Sequence, residues 1–323
     1  MKLILDIETD DLDATCIHVV VCKNIDTGKV RSFKEWEKNK LQSYLDSTEQ
    51  LIMHNGISFD LPVLERLWGI SFPYTKVIDT LIISQLHNPI RDGGNSLKNW
   101  GDILEFPKMS APSSFKAYTP RMQLYCERDV AVTEKVYHHL RTAMKGWSRD
   151  SVKLEHTVRR LLDIQKTNGF FIDREKVQIL VAALSDESGE LEDHLVEVFE
   201  PTIKELKTKT NIIPFNPQSR KQIGERLLKR GWKPTQFTEK TGLPVINEAT
   251  LKGCTIPEVK HIQKYMLLNK RTSQISSWVK AINPHTGRVH GNVITIGAVT
   301  NRMSHNSPNM AQVPASYSPY GKE

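Results

Sequence analysis

The sequence predicts an α/β domain followed by a mostly helical one, with the change at about residue 147. Three observations predict it. Over residues 1–147, short branched apolar runs alternate with amphipathic stretches, the pattern of strands alternating with helices. Beyond Gly146 the period turns helical, and Asn168-Gly169 and Gly231 mark helix ends. Charge divides at the same place. Residues 1–147 hold 18 Lys+Arg and 19 Asp+Glu, a net charge of −1, and residues 148–323 hold 26 and 18, a net charge of +8. The basic half fits a surface for a polyanionic backbone, or else is simply the solvated face of its helices.

In the first domain, strands are expected at 2–7, 17–24, 30–33, 51–54 and near 76–78. Residues 2–7 are short, apolar and branched, so they read as a buried strand. Asp26-Thr-Gly28 is a hairpin turn signal between the second and third strands. Helices are expected at about 36–45, 61–68, 80–86, 96–104 and 120–145, with a loop rich in Pro, Ser and Lys over 106–120. Three antiparallel strands are then followed by parallel ones crossed by helices. In the second domain, 148–323, a helix over 150–167 is followed by one that Asp173 can cap and that runs to about 199. Residues 201–214 read as a short break, 216–230 as a helix and 256–281 as a long helix. The turn Thr286-Gly287 opens a strand pair ending near 297. No internal repeat or low-complexity tract is present.

Acidic residues in three short patterns carry the chemistry: LILDIETD with Asp6 and Glu8, HNGISFD with Asp60, and YCERDVAV with Tyr125 and Asp129. Side chains two apart on a strand share a face, which puts Asp6 and Glu8 together at its end. Tyr125 and Asp129 are four apart in a predicted helix, hence on one face. Asp60 follows a second strand and opens a helix. Singly, each has an ordinary reading: solvated strand-end residues, a helix N-cap, a half-buried packing tyrosine. As an ordered set they point elsewhere. Clustered carboxylates repel unless cations sit between them, which predicts a site for two hard divalent ions, Mg²⁺ or Mn²⁺. Two such ions about 3.5–4 Å apart clamp the attacking and leaving oxygens of a phosphodiester, and Tyr125 would orient the attacking water.

Four cysteines, Cys16, Cys22, Cys126 and Cys254, show no C-x-x-C or His-Cys pairing, so neither zinc nor a disulfide framework is expected. Cys126 reads as a small helix residue. No signal-like leader precedes Asp6, and no apolar run approaches the roughly 18 residues of a membrane span. These features predict a soluble protein of a reducing compartment with no membrane partner.

LDIETDDLD, HNGISFD and YCERD resemble the three exonuclease motifs of DNA polymerase proofreading domains, the tyrosine-bearing subtype of the DEDD nucleases with an RNase H-like fold. NGFFIDREKV resembles the helix-turn segment that opens the polymerase thumb. FNPQSRKQIGERLLKRGWKPTQFTEKTGLPV is similar to the thumb of family A polymerases from T-odd bacteriophages. GRVHGNVITIGAVTNRMSHNSPNMAQVP resembles the block that meets the primer-template just before the palm. The resemblance covers nearly the whole chain and keeps the family's order.

It implies that Asp6, Glu8, Asp60 and Asp129 bind the metals, that Tyr125 orients the water, and that Thr9 and Asn55 help to hold the 3′-terminal nucleotide. Thr9 alternatively caps a turn, and Asn55 alternatively bonds its own loop. Lys270 and Arg271 in the long helix, with Arg302, Asn309 and Gln312 in the last block, match residues that touch duplex DNA without reading its sequence. Asn301 departs from the family's glycine before the arginine, a position where Asn tolerates positive φ. The phage relatives capture thioredoxin with a long thumb insertion. Residues 201–214 are too short for one, so thioredoxin is not implied.

The resemblance further implies the N-terminal part of a polymerase, unable to polymerise without a palm-and-fingers fragment that would dock around 286–323, in the cytoplasm of a host cell. The alternatives are a stand-alone exonuclease of the same fold and a non-catalytic DNA-binding scaffold. The complete carboxylate set argues against the scaffold, and the thumb and primer-binding block argue against the stand-alone nuclease.

Overall fold

A computed structural model of the chain describes residues 1–205 and 210–315. It divides into two compact units. The first is Met1–Asn168 with Gly291–Asn306, and the second is Gly169–His290 with the described residues from Ser307 onward.

The first unit is built on β1 (Lys2–Thr9), β2 (Ile17–Asn24), β3 (Val30–Phe33), α1 (Lys38–Asp46), β4 (Gln50–Met53), α2 (Asp60–Trp68) and β5 (Val77–Asp79). Helices α3 (Thr80–His87), α4 (Leu97–Ile103), α5 (Pro120–Ala143) and α6 (Arg149–Asn168) follow. The strands form one sheet in the order β3-β2-β1-β4-β5. The first three are antiparallel, and β4 and β5 run parallel to β1, the mixed arrangement expected.

Strand β1 is central and carries Leu3, Ile4 and Leu5 in succession, so both of its faces are apolar. Alternate residues face opposite sides. Leu3, Leu5 and Ile7 share a core with Leu41 of α1 and Leu61 and Leu64 of α2. Ile4 instead joins Val19 and Val21 of β2 with Cys126, Val130 and Tyr137 of α5. The even-numbered row of β1 therefore runs toward α5, and Asp6 and Glu8 continue that row. In α5 the spacing of Cys126, Val130 and Tyr137 keeps one stripe on the sheet, while Val132, Val136 and Leu140 pack with Trp100 of α4. Between Glu8 and Thr9 the pairing with β2 shifts register. Such bulges bend a strand end and re-aim its side chains.

The first unit extends past the composition change at 147, because α6 is held to it by buried polar contacts. His156 Nε2 accepts the Asp79 backbone N–H at 2.8 Å. Asp163 pairs with Arg159 and accepts the Ser58 hydroxyl at 2.9 Å.

In the second unit, β6 (Phe170–Phe171) precedes α7 (Arg174–Val198), which Asp173 caps by accepting from the Lys176 backbone N–H. The expected break over 201–214 contains a hairpin, β7 (Thr202–Glu205) with β8 (Thr210–Ile213). Its turn, 206–209, lies outside the described residues, and Ile203 and Ile212 pair across it with both side chains exposed. Then come α8 (Arg220–Lys229), a single-turn α9 (Glu248–Leu251) and α10 (Val259–Lys280). Val177 and Leu180, early in α7, share a core with Trp278 and Val279, late in α10. Leu195, at the other end of α7, meets Val259 and Ile262. The two long helices are thus antiparallel. Buried Arg226 of α8 ties the hairpin down, donating to the Glu200 carbonyl at 2.9 Å and the Thr202 hydroxyl at 2.8 Å.

The strand pair expected over 286–297 does not form. Strand β9 (Arg288–Val289) pairs with β6, and β10 (Asn292–Ile294) pairs with β11 (Ser304–Asn306) in the first unit. The two runs fall in different compact units, and each pairs within its own unit, β9 with a strand far back in the sequence and β10 with one a few residues ahead. Among the described residues no helix is long and apolar enough to cross a membrane.

Candidate functional site

The end of β1 presents Asp6 and Glu8 to α5. One oxygen of each and the Cys126 sulfur lie within 4.8 Å of one another. The Cys126 thiol donates to Asp6 Oδ2 and to the Asp6 carbonyl, both at 3.5 Å. One turn beyond Tyr125 on the same helix, buried Asp129 is close enough for its charge to act on both Asp6 and Glu8.

Asp60 reaches the cluster through a loop whose shape is set by Asp79. Asn55 takes a φ of 69°, the left-handed region that Asn tolerates better than most residues. The N–H groups of Asn55 and Ile57 donate to the Asp79 carboxylate at 2.9 and 3.1 Å, and the same carboxylate caps α3 through Leu81 N–H at 3.0 Å. A Cβ on Gly56 would lie 2.4 Å from that of Met53, so this turn takes only glycine. Asp60 is the first residue of α2 rather than its N-cap, which is Phe59, and its side chain is buried beside Asp6.

The electrostatics follow from burial. Desolvation, and then the charge of Asp129, lift the Asp6 carboxyl to about 7. Desolvation followed by Asp6 and Asp129 lift Glu8 to about 9. Asp60 is held well above the usual carboxylate range by burial and next by Asp6. Asp129 is raised by burial, against the opposing pull of Lys108. Burial pushes the Tyr125 hydroxyl and the Cys126 thiol up as well.

Lys108 was not singled out in the sequence. It lies on the loop between α4 and α5, and its Nζ is 2.5 Å from Asp129 Oδ2, with the two side chains 20% and 6% exposed. Burial works against its charge, but Asp129 and a hydrogen bond to Tyr125 outweigh that and hold Lys108 charged above its ordinary value.

The donor set fits hard divalent cations. The four carboxylates offer only oxygen ligands, the kind Mg²⁺ and Mn²⁺ prefer. Asp129 Oδ1 is buried with no hydrogen-bond partner, an acceptor that the protein itself leaves open. Asp6, Glu8, Asp60 and Asp129 would hold the metal. Cys126 is a softer donor that burial keeps protonated.

The other predicted site residues divide. Thr9 is buried and its hydroxyl donates to the Asp11 carbonyl at 2.9 Å, closing the turn after β1. Asn55 is exposed and lines a cavity of about 500 Å³ with His54, Gln85, Ile294 and Ile296. In the second unit, Lys270 is exposed on α10, and Arg271 is half-buried with its Nε unpartnered. Trp278 and Gln274 of the same helix donate to the backbone carbonyls of Asn309 and Gln312 at 2.9 and 2.7 Å. The Asn309 side chain accepts the Ala311 N–H at 2.9 Å, while that of Gln312 is exposed. Exposed Arg302 falls in the first unit, following Asn301 with its φ of 57°.

Residues 3–108 match the RNase_H superfamily model, and residues 182–322 match that of DNA polymerase family A. A match to the RNase H superfamily is thus followed along the chain by a match to DNA polymerase family A. The chain is 29% identical over 246 residues to the DNA-directed DNA polymerase of Enterobacteria phage T3, an alignment covering 55% of this chain and 35% of that protein. The corresponding polymerase of Escherichia phage T7 is 28% identical over the same shares. DNA polymerase I of Treponema pallidum is 26% identical over 283 residues, 83% of this chain and 27% of that protein. The chain thus spans about a third of the length of the phage polymerases it matches. In fold it is similar to the POL domain of Pol1 from M. smegmatis, solved in complex with DNA primer-template and dNTP. The TM-score is 0.74 at 17% identity, over 99% of this chain and 53% of that one.

The site makes stability depend on pH in a stated direction. Glu8 has an ordinary value of 4.5 and is lifted to about 9 in the fold. A raised folded-state value favours the fold at low pH, and that advantage is lost as pH climbs between these two values. In EDTA, the melting temperature should therefore fall between pH 5 and pH 9. Glu8→Gln, which has no proton to lose, should melt above the parent at pH 9 and gain little from Mg²⁺. Equal melting temperatures for the two proteins across that window would refute the coupling.

Proposed function

We propose that this chain is the 3′→5′ exonuclease and DNA-binding portion of a family A DNA polymerase. The observation that carries the proposal is the gathering of Asp6, Glu8, Asp60 and Asp129 at one end of a buried strand, with Tyr125 on the flanking helix. Divalent cations bound there would make water a usable nucleophile at neutral pH and neutralise charge on the phosphodiester.

The chain's own residues supply the rest. The carboxylates that would hold the cations stand on rigid elements, the end of β1, the first turn of α2 and the middle of α5. The Tyr125 hydroxyl orients the attacking water toward the terminal phosphorus. Asn55, at the rim of its cavity, and Thr9, beside Glu8, hold the terminal nucleotide against β1. In the second half, Lys270 and Arg271 grip the backbone of the primer-template together with Gln312, and Arg302 adds a further phosphate contact. Polymerisation belongs to the palm and fingers that complete such enzymes, the partner proposed for residues 286–323, of which 316–323 lie outside the described residues.

Incubated with a 3′-labelled oligonucleotide and Mg²⁺, the protein should release mononucleotides from the 3′ end. Single strands should go faster than paired ones, because a frayed end reaches the site at less cost. EDTA should stop the reaction. The Asp6→Ala/Glu8→Ala variant should lose at least about a thousandfold in rate while remaining folded, more than the loss of one charge-stabilising donor. Tyr125→Phe should lose less, with about 10²–10⁴-fold as its ceiling. Undiminished digestion by the double variant would sink the proposal.

DNA affinity should reside mainly in the second half. Binding to a primed template should weaken with salt, with a log–log slope of roughly −0.9 per neutralised phosphate. Replacing Lys270, Arg271 and Arg302 by alanine should reduce affinity and flatten that slope, leaving turnover on a short single strand nearly unchanged. Equal loss of both activities would mean that the basic residues serve the nuclease directly.

A further inference from the structure

Lys108 ion-pairs with Asp129, one of the four carboxylates, and its position is built rather than incidental. The chain turns back after α4 because Gly101 lets residues 106–108 close in: a Cβ there would sit 3.1 Å from the Phe106 carbonyl oxygen and 3.3 Å from Lys108 N. Arg128, on the helix that carries Asp129, donates to the Pro107 carbonyl at 2.8 Å and lays its guanidinium 3.4 Å above the Phe106 ring. Farther along the same loop, His18 holds the Phe115 carbonyl at 2.7 Å, and the Phe115 ring meets Tyr125 edge-on at 6.3 Å. Both sides of the loop are thus fixed to elements of the site. From this base the Lys108 ammonium reaches Asp129 Oδ2 and lies 4.9 Å from the centre of the Tyr125 ring.

An ammonium in that place has a consequence once a divalent cation ligates Asp129. A cation on the open Oδ1 of Asp129 would set a second positive charge across the same carboxylate from the ammonium on Oδ2, and their repulsion weakens the Lys108 pairing and frees the side chain to turn away from Asp129. Its loop confines it to the neighbourhood of Tyr125, where the anionic group of a bound substrate would arrive. A positively charged donor beside a reacting phosphate stabilises the charge that builds there.

We propose that Lys108 is a further catalytic residue: it occupies Asp129 as a resident counter-ion in the metal-free protein and passes to a non-bridging phosphate oxygen of the 3′-terminal nucleotide when cation and DNA bind. This rests on the nuclease reading above. The transfer breaks and forms only ionic hydrogen bonds, and no covalent group moves.

Two readouts test it together. In the absence of DNA, Lys108→Met should bind Mn²⁺ at least about tenfold more tightly than the parent, because removing one partner of a buried ion pair is worth more than a decade. With Mg²⁺ saturating, the same variant should lose about 10²–10³-fold in kcat on a single-stranded oligonucleotide, with KM changed far less. Lys108→Arg keeps the charge and should restore the parent's Mn²⁺ affinity with only part of its turnover, which separates charge from folding damage.

Unchanged or weaker Mn²⁺ binding in Lys108→Met would overturn the counter-ion role. Tighter binding with full turnover would overturn the substrate contact. Either of these results with an active parent leaves the nuclease reading standing. A parent inert on every 3′ end with Mg²⁺ overturns both.

Discussion

Four carboxylates held out of water within reach of one another's charge constrain everything around them in the first unit. Two like charges about 4 Å apart repel by roughly 4 kcal/mol even at an effective dielectric of 20. Several such pairs would consume the whole stability of a typical domain, about 5–15 kcal/mol. The fold answers in two ways. Asp6 and Glu8 keep their protons into the neutral range and above, and Lys108 is drawn onto Asp129. Both answers are provisional chemically, because a divalent cation on the same carboxylates competes with the protons of Asp6 and Glu8 and repels the Lys108 ammonium.

The frame that tolerates this strain is apolar on both sides. Strand β1 is anchored by Leu3 and Leu5 against α1 and α2 and by Ile4 against α5, so the carboxylates at its end cannot relax apart. Asp79 plays a parallel part for Asp60. Its carboxylate is consumed by three backbone N–H groups, two of them in the loop before α2, and His156 of α6 backs its own N–H. Function in this reading comes from rigidity: three elements aim acidic side chains at one point, and loops on either side carry the groups that would meet the substrate.

Much of this was legible in the sequence, and the reason is periodicity. The branched run 2–7, the i, i+4 spacing of Tyr125 and Asp129, and the apolar stripe of α5 are local patterns with one dominant solution, and the sheet follows from them. What was not legible has no such period. Lys108 lies in a Pro- and Ser-rich loop, where neither burial nor direction can be read, and only Gly101 hints at the close return that places it. Cys126 looked like a packing residue because its nearness to Asp6 depends on how α5 crosses β1. Asp79 drew no sequence reading, since its duty beyond capping α3 is to a loop more than twenty positions earlier. The hairpin at β7 and β8 lacks an Asn-Gly or Asp-Gly signal. The pairings of β9 with β6 and of β10 with β11 join runs of two or three residues to partners that no local pattern identifies.

Anomalous scattering from a crystal of the protein soaked in Mn²⁺ tests the central claim most directly, because it locates bound cations without relying on turnover. The account predicts two peaks about 3.5–4 Å apart among Asp6, Glu8, Asp60 and Asp129, with the Lys108 ammonium displaced from Asp129. No manganese peak among these carboxylates, with Lys108 still paired to Asp129, would contradict it.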